Sequence, residues 1–145
     1  MAKGTNSIIG MSGEFAVASE LLRRGFQANV TFGNAKAMDI IITSNNSNVY
    51  KIVEVKTTTG RKFVTGFFQK YFDESVQHPD YWVLVFIDKV FTAHYYILTH
   101  EEIGDIQMHV NKMTSWMKND NGVDGISRCN SELKQHENRW DKIVL

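Results

Sequence analysis

Apolar positions along the chain change period several times, and each change marks an element. Across about residues 5–24, Val17, Ala18, Leu21 and Leu22 recur at the spacing of a helix face, and Gly25 is a good stop. Gly10 and Gly13 weaken the front of that helix, so a start after Thr5 or after Ser12 remains open. FQANVTF (26–32), MDIIIT (38–43) and VYKIVEVK (49–56) read as three strands, the last two joined by the turn-formers SNNSN (44–48) as a hairpin. TTTGRK (57–62) is a polar loop, and FFQKYFDESV (67–76) follows as a helix with Phe67, Phe68, Tyr71 and Phe72 as its core face. YWVLVFI (81–87) is a continuous run of β-formers, as expected of a strand covered on both faces. HYYIL (94–98) is a further strand. THEE (99–102) has the form of a capping box, with Thr99 as N-cap and Glu102 three residues on. A helix near 108–118, a loop at 119–125 and a helical or extended tail complete the pattern. Trp116 and Trp140 are expected to pack the tail back on the sheet. The order indicates an α/β fold, a mixed sheet flanked by helices, with a core over about 5–107 and a helical extension over 108–145 in one domain.

One strand breaks the apolar rule. In YKIVEVKTTTG (50–60) a carboxylate, Glu54, and an ammonium, Lys56, lie two residues apart and so share one face of the sheet. Charges are costly on a covered face and rarely stand there alone. Asp39 opens the neighbouring strand, and adjacent strands can set it beside Glu54. Two clustered carboxylates raise at least one pKa unless a cation neutralises them, and oxygen donors suit Mg²⁺ or Mn²⁺ rather than zinc.

Composition narrows the classes. With 16 Lys+Arg against 16 Asp+Glu the formal charge is zero, so any grip on phosphate must come from a local cluster rather than bulk charge. Cys129 is the only cysteine, which excludes an intrachain disulfide and a multi-cysteine zinc site and fits a reducing cytoplasm. No stretch approaches the roughly 20 apolar residues of a membrane span, so no membrane is expected as partner. The five histidines form no HExxH or comparable metal spacing.

GE (13–14), DII (39–41) and VEVK (53–56), in this order, resemble the metal-dependent PD-(D/E)xK nuclease superfamily. The nearest likeness within it is to Holliday-junction resolvases and small restriction-endonuclease-like proteins, helped by LRRGF (22–26). The likeness covers about residues 3–60 well, the strands at 81 and 94 loosely, and the tail not at all. It implies that Asp39 and Glu54 are metal ligands for Mg²⁺ or Mn²⁺, with the Val55 carbonyl as a third. Lys56 is then the catalytic lysine, and Glu14 an accessory acid reaching in from the first helix. Met38 stands where the motif has proline. The literal Pro79-Asp80 pair follows the Glu-Val-Lys strand and is in the wrong order.

Each residue has a blander reading. Glu-x-Lys recurs in ELK (132–134), in a segment that reads as helical, so the tripeptide alone signifies nothing. Glu54–Lys56 alone is a surface ion pair, Asp39 alone a turn residue, and Glu14 alone an acid near a helix start. Their joint order and spacing favour the site. Thr57, Arg61, Lys62 and Lys70 are the candidate contacts to phosphates flanking the scissile one. The expectation is a metal-dependent DNA endonuclease, structure-selective or part of a restriction or repair system, with RNA not excluded as substrate. A homodimer would set two cuts on opposite strands, with its interface sought in the tail. The alternative is a catalytically inactive nuclease-fold protein that binds nucleic acid or a protein partner, which the neutral charge favours.

Overall fold

The computed structural model describes residues 3–31, 39–44, 48–73 and 75–145, with only backbone considered for 3–7. Helix α1 (Lys3–Arg23) leads into β1 (Gln27–Val30), β2 (Ile40–Thr43) and β3 (Tyr50–Thr58). Then come β4 (Lys62–Val64), the single turn α2 (Phe67–Lys70), β5 (Tyr81–Ile87), β6 (Ala93–Thr99), α3 (His100–Val110) and β7 (Gly125–Ser127). Two 3-10 turns, Lys134–His136 and Trp140–Lys142, close the chain. Residues 45–47 of the expected β2–β3 turn, Met38 and Phe32 fall outside the described residues.

The main sheet runs β1-β2-β3-β5-β6, antiparallel throughout except for β3 and β5, which are parallel. A second, two-stranded sheet pairs β4 with β7. The main sheet is covered on both faces by two separate cores. Val53 and Val55 of β3, with Val83 and Val85 of β5, face α1 and meet Val17, Leu21, Trp140 and Ile143. Trp82 and Leu84 of β5 point the other way, to Phe67, Phe68, Ile103 and Leu133. On that second face, the β3 positions beside Trp82 and Leu84 are Glu54 and Lys56. The charged pair therefore takes up places in an apolar layer.

α1 begins at Lys3, spanning both glycines, and stops as anticipated. Gly25 adopts φ 88°, and the N–H groups of Gly25 and Phe26 donate to the carbonyls of Leu22 and Leu21. The capping box at Thr99 forms with both of its hydrogen bonds.

Three expectations fail. The helix over 67–76 is a single turn: Tyr71 leaves helical geometry at φ −112°, and the Ser75 N–H turns back to Asp73 Oδ1 at 3.0 Å. Phe67, Phe68 and Tyr71 are nonetheless buried, while Phe72 is partly exposed. The helix at 108–118 does not exist; α3 ends at Val110 because Lys112 takes the left-handed region at φ 56°. The extension over 108–145 is not helical but consists of β7 and the 3-10 turns, and the ELK segment contributes only to the first of them. Trp116 and Trp140 do pack inward, against the second and first cores respectively. Among the described residues no helix is long and apolar enough to cross a membrane.

Candidate active site

The β2–β3 register sets Ile40 opposite Val53, and the same antiparallel count sets Asp39, just before β2, opposite Glu54. The two carboxylates therefore share one face of the sheet. Asp39 is held there by the Val55 N–H, which donates to Asp39 Oδ2 at 2.8 Å. In a strand the N–H and C=O of one residue point to the same side, so the Val55 carbonyl also looks toward the β2 edge.

Glu54 is only 7% exposed, and its Oε1 lies 3.3 Å from Lys56 Nζ. Burial pushes the Glu54 carboxyl up, and the Asp39 charge pushes it further, while Lys56 and then Lys70 oppose the shift. Glu14 meets the same group from α1. Its carboxyl rises from an ordinary 4.5 to about 7, first through burial, then through the Asp39 charge, a hydrogen bond shared with Asp39, and the Glu54 charge. Tyr71, buried beneath the site, has its hydroxyl raised by burial and by Glu54 and Asp39.

Glu14 reaches this point because α1 lies unusually close to β3. A Cβ at Gly13 would collide with Thr57 Oγ1. The glycine that weakens the helix in sequence terms is thus what lets the next residue approach the strands.

Of the residues expected to hold phosphate, Thr57 and Lys62 line a cavity of about 380 Å³ together with Lys56, Thr58, Thr59 and Gly60. Thr57 Oγ1 is buried without a hydrogen-bond partner among the described residues. Lys70 lies close enough to Glu54 to lower its pKa, and its Nζ sits 5.3 Å from the centre of the Tyr71 ring. Arg61 is exposed on the turn after Gly60 and does not line the cavity.

Sequence reasoning missed Tyr71 as a neighbour of the site and Arg128 as the brace of its rim. Arg128 Nε donates to the Gly60 carbonyl at 3.1 Å, and its guanidinium lies 4.3 Å from the centre of the Phe86 ring. Its distance of 68 residues along the chain left no local signal. The discounted Pro79-Asp80 pair has a structural task instead: Asp80 Oδ2 accepts the Ile52 N–H at 2.8 Å.

No protein-family model matches the chain, and no curated protein matches it in sequence. A solved structure does. It is a bacterial homing endonuclease, I-Ssp6803I, superposing with a TM-score of 0.51 over 92% of this chain and 81% of that one. At 13% identity the likeness is one of fold. The mixed five-stranded sheet flanked by helices is therefore an arrangement that an endonuclease also uses.

The donor set bears on whether a cation fits. Among the described residues no group of three or more His, Cys, Asp and Glu side chains is placed to hold a metal ion. The acids that do interact are all oxygen donors, as hard divalent ions require. Burial first, and then neighbouring carboxylates, push Glu14 and Glu54 toward protonation, a shift that a bound cation would oppose.

Proposed function

We propose that this protein is a metal-dependent DNA endonuclease of the PD-(D/E)xK kind. The observation that carries the reading is the facing pair Asp39 and Glu54, with the Lys56 ammonium 3.3 Å from Glu54, on an otherwise apolar sheet face. Nothing in packing calls for charge at that point, and an isolated buried carboxylate is costly there.

In this reading Asp39 and Glu54 hold Mg²⁺ or Mn²⁺, with the Val55 carbonyl and Glu14 as further oxygen donors. When bound, the ion supplies positive charge to the phosphate oxygens and lowers the pKa of water. The Val55 N–H fixes the Asp39 carboxylate in one orientation. Lys56 donates from its ammonium to the attacking water or to the phosphoryl oxygens as they gain charge. Water adds to phosphorus opposite O3′, the P–O3′ bond breaks, and the products carry a 5′-phosphate and a 3′-hydroxyl. Thr57, Lys62 and Lys70 bind the phosphates flanking the scissile one, with Arg61 further out on the same turn.

The zero net charge favours the rival reading, a nuclease fold that binds without cutting. Against it stands the cost of keeping acids crowded in a site with no chemistry to perform. Branched, nicked, single-stranded and duplex DNA, with RNA controls, incubated in Mn²⁺ separate the two. Cleavage by the wild type and a loss of about 10²-fold or more in Lys56→Ala is expected. Cleavage unchanged in Lys56→Ala removes this mechanism, and no cleavage of any substrate favours the rival.

A further inference from the structure

Val90 and Phe91 are the most exposed large apolar side chains among the described residues, at 76% and 89%, and they stand together on the turn between β5 and β6. The turn does not leave them loose. Asp88 Oδ1 accepts the N–H groups of Val90 and Thr92 at 2.9 and 3.0 Å, and Asp88 Oδ2 lies 2.8 Å from His94 Nε2. The Phe91 N–H donates to the Asp88 carbonyl, and the Asp88 N–H to the Thr92 carbonyl. Within this lock Phe91 holds φ 67°, the left-handed region, where such hairpin turns favour glycine or asparagine. One residue thus carries two costs, an awkward backbone and an aromatic ring in water, and a tightly bonded turn keeps both in place. The fold draws no packing from the ring, which belongs to neither core.

The place of this tip gives it a partner. β3 and β5 are parallel, with Thr58 beside Phe86, so the 88–92 turn leaves the sheet at the same end as the turn between β3 and β4. Arg128 joins the two, its guanidinium over the Phe86 ring and its Nε on the Gly60 carbonyl. Lys89 on one turn, and Arg61 and Lys62 on the other, form no ion pair among the described residues. The one acid in either turn, Asp88, is already engaged by His94 and by the turn itself. From Trp82, beside Glu54, to Val90 is roughly 20–25 Å along the strand, the length of about six or seven phosphate steps. One nucleic acid can therefore meet both the acids and the tip.

The geometry points to the tip as a wedge: Phe91, with Val90 beside it, inserts into an opened base step of the nucleic acid whose phosphates Arg61 and Lys62 hold. The inference rests on the nucleic-acid reading of the site. It adds the feature recognised, a nick, an unpaired base or a branch, where stacking is already broken and entry costs least. Area selects the occupant. Two side chains on a turn offer a small part of the roughly 800 Å² that each partner gives a stable protein interface. They would also hold a lipid surface only marginally. Parting a base step takes only one or two apolar side chains, with cations for the phosphates on either side.

Binding is measured apart from cleavage, in EDTA at low salt, by fluorescence anisotropy on the full chain. The probes are duplexes of one sequence that are intact, nicked or carry one unpaired base, each with 2-aminopurine beside the altered step. The wild type should bind the nicked and bulged duplexes about tenfold more tightly than the intact one, and 2-aminopurine fluorescence should rise as its neighbour is displaced. Phe91→Gly should bind the nicked duplex about tenfold or more weakly and leave the fluorescence low, with no loss of melting temperature, since glycine accepts this φ. Phe91→Trp should keep both signals. Binding and fluorescence of Phe91→Gly equal to the wild type overturn the wedge, as does a wild type blind to the nick and the unpaired base. If the wedge fails in this way while Lys56→Ala still loses cleavage, the nuclease reading stands. A wild type that binds no duplex at all removes the nucleic-acid reading and the wedge with it.

Discussion

Asp39→Asn isolates the electrostatic argument, because asparagine keeps an oxygen to accept the Val55 N–H and loses only the charge. In the wild type the Glu14 carboxyl is raised from 4.5 to about 7. A raised acid costs the folded state nothing below pH 4.5, and its penalty grows as pH climbs from there through 7. At about 1.36 kcal/mol per pH unit the ceiling is about 3.4 kcal/mol at pH 8. Glu14 is only half-buried, and solvent screening brings this down to about 1–2 kcal/mol. The Asp39 charge ranks behind burial among the causes, so its removal should return about 1 kcal/mol or less. In a chain of this size that is a rise of roughly 2–4 °C in melting temperature. The measurement is thermal unfolding in EDTA at pH 8, repeated at pH 5, where most of the gain should vanish. Saturating Mn²⁺ should reverse the order, stabilising the wild type by about 2–3 kcal/mol at a hundredfold excess over Kd and leaving the variant unmoved. A variant that melts lower than the wild type in EDTA at pH 8 would show Asp39 to be a structural partner, and the crowding argument would be wrong.

Three other substitutions probe the surroundings. Gly13→Ala should destabilise by about 1–3 kcal/mol in chemical denaturation, since its methyl meets Thr57; an exposed helical glycine would show the opposite sign, a gain of about 0.5–1 kcal/mol. His100, buried among aromatic rings, accepts the Trp82 indole N–H and has its pKa pushed down to about 3 by burial and by His78. The unfolded chain takes up that proton first, so stability is lost as pH falls from 6.5 toward 3. His100→Gln should flatten the acid limb of the stability curve, and an unchanged limb would exclude His100 as its cause. Asp124 accepts hydrogen bonds from the Phe68 N–H and from the side chains of Asn111 and Asn119 while 1% exposed, so Asp124→Ala should cost about 3–5 kcal/mol. A loss under 1 kcal/mol would mean that water replaces the carboxylate.

Legibility in the sequence followed the range of the interactions. Tyr81–Ile87 and the Thr99 capping box were readable because a run of β-formers and a four-residue motif carry their own signal. The pair Glu54 and Lys56 was readable because a charge in an apolar strand breaks a local rule. The missing helix at 108–118 was not readable. Met113 and Trp116 fulfil the apolar spacing and do pack on the second core, but from an irregular segment. That segment's course is set by the Gln107 amide, which donates to the Gly125 carbonyl and to Asn111 Oδ1. The sheet of β4 and β7 escaped for the same reason. Each strand has three residues, and only their pairing, Phe63 beside Ile126, makes them strands. Within the candidate site, order and spacing pointed to Glu14, Asp39 and Glu54, which the structure brings near one another, whereas Tyr71 and Arg128 depend on contacts between distant segments.

The Glu102 carboxylate begins α3 by accepting the Thr99 N–H, and the same group grips Lys142 Nζ at 2.9 Å. Trp140 and Ile143, on either side of that lysine, fill the layer against Val17 and Leu21 of α1. The inner surface of α1 is therefore sealed by residues far along the chain from it. That layer is complete only when segments far apart in the chain have met, a non-local closure of the kind that slows folding.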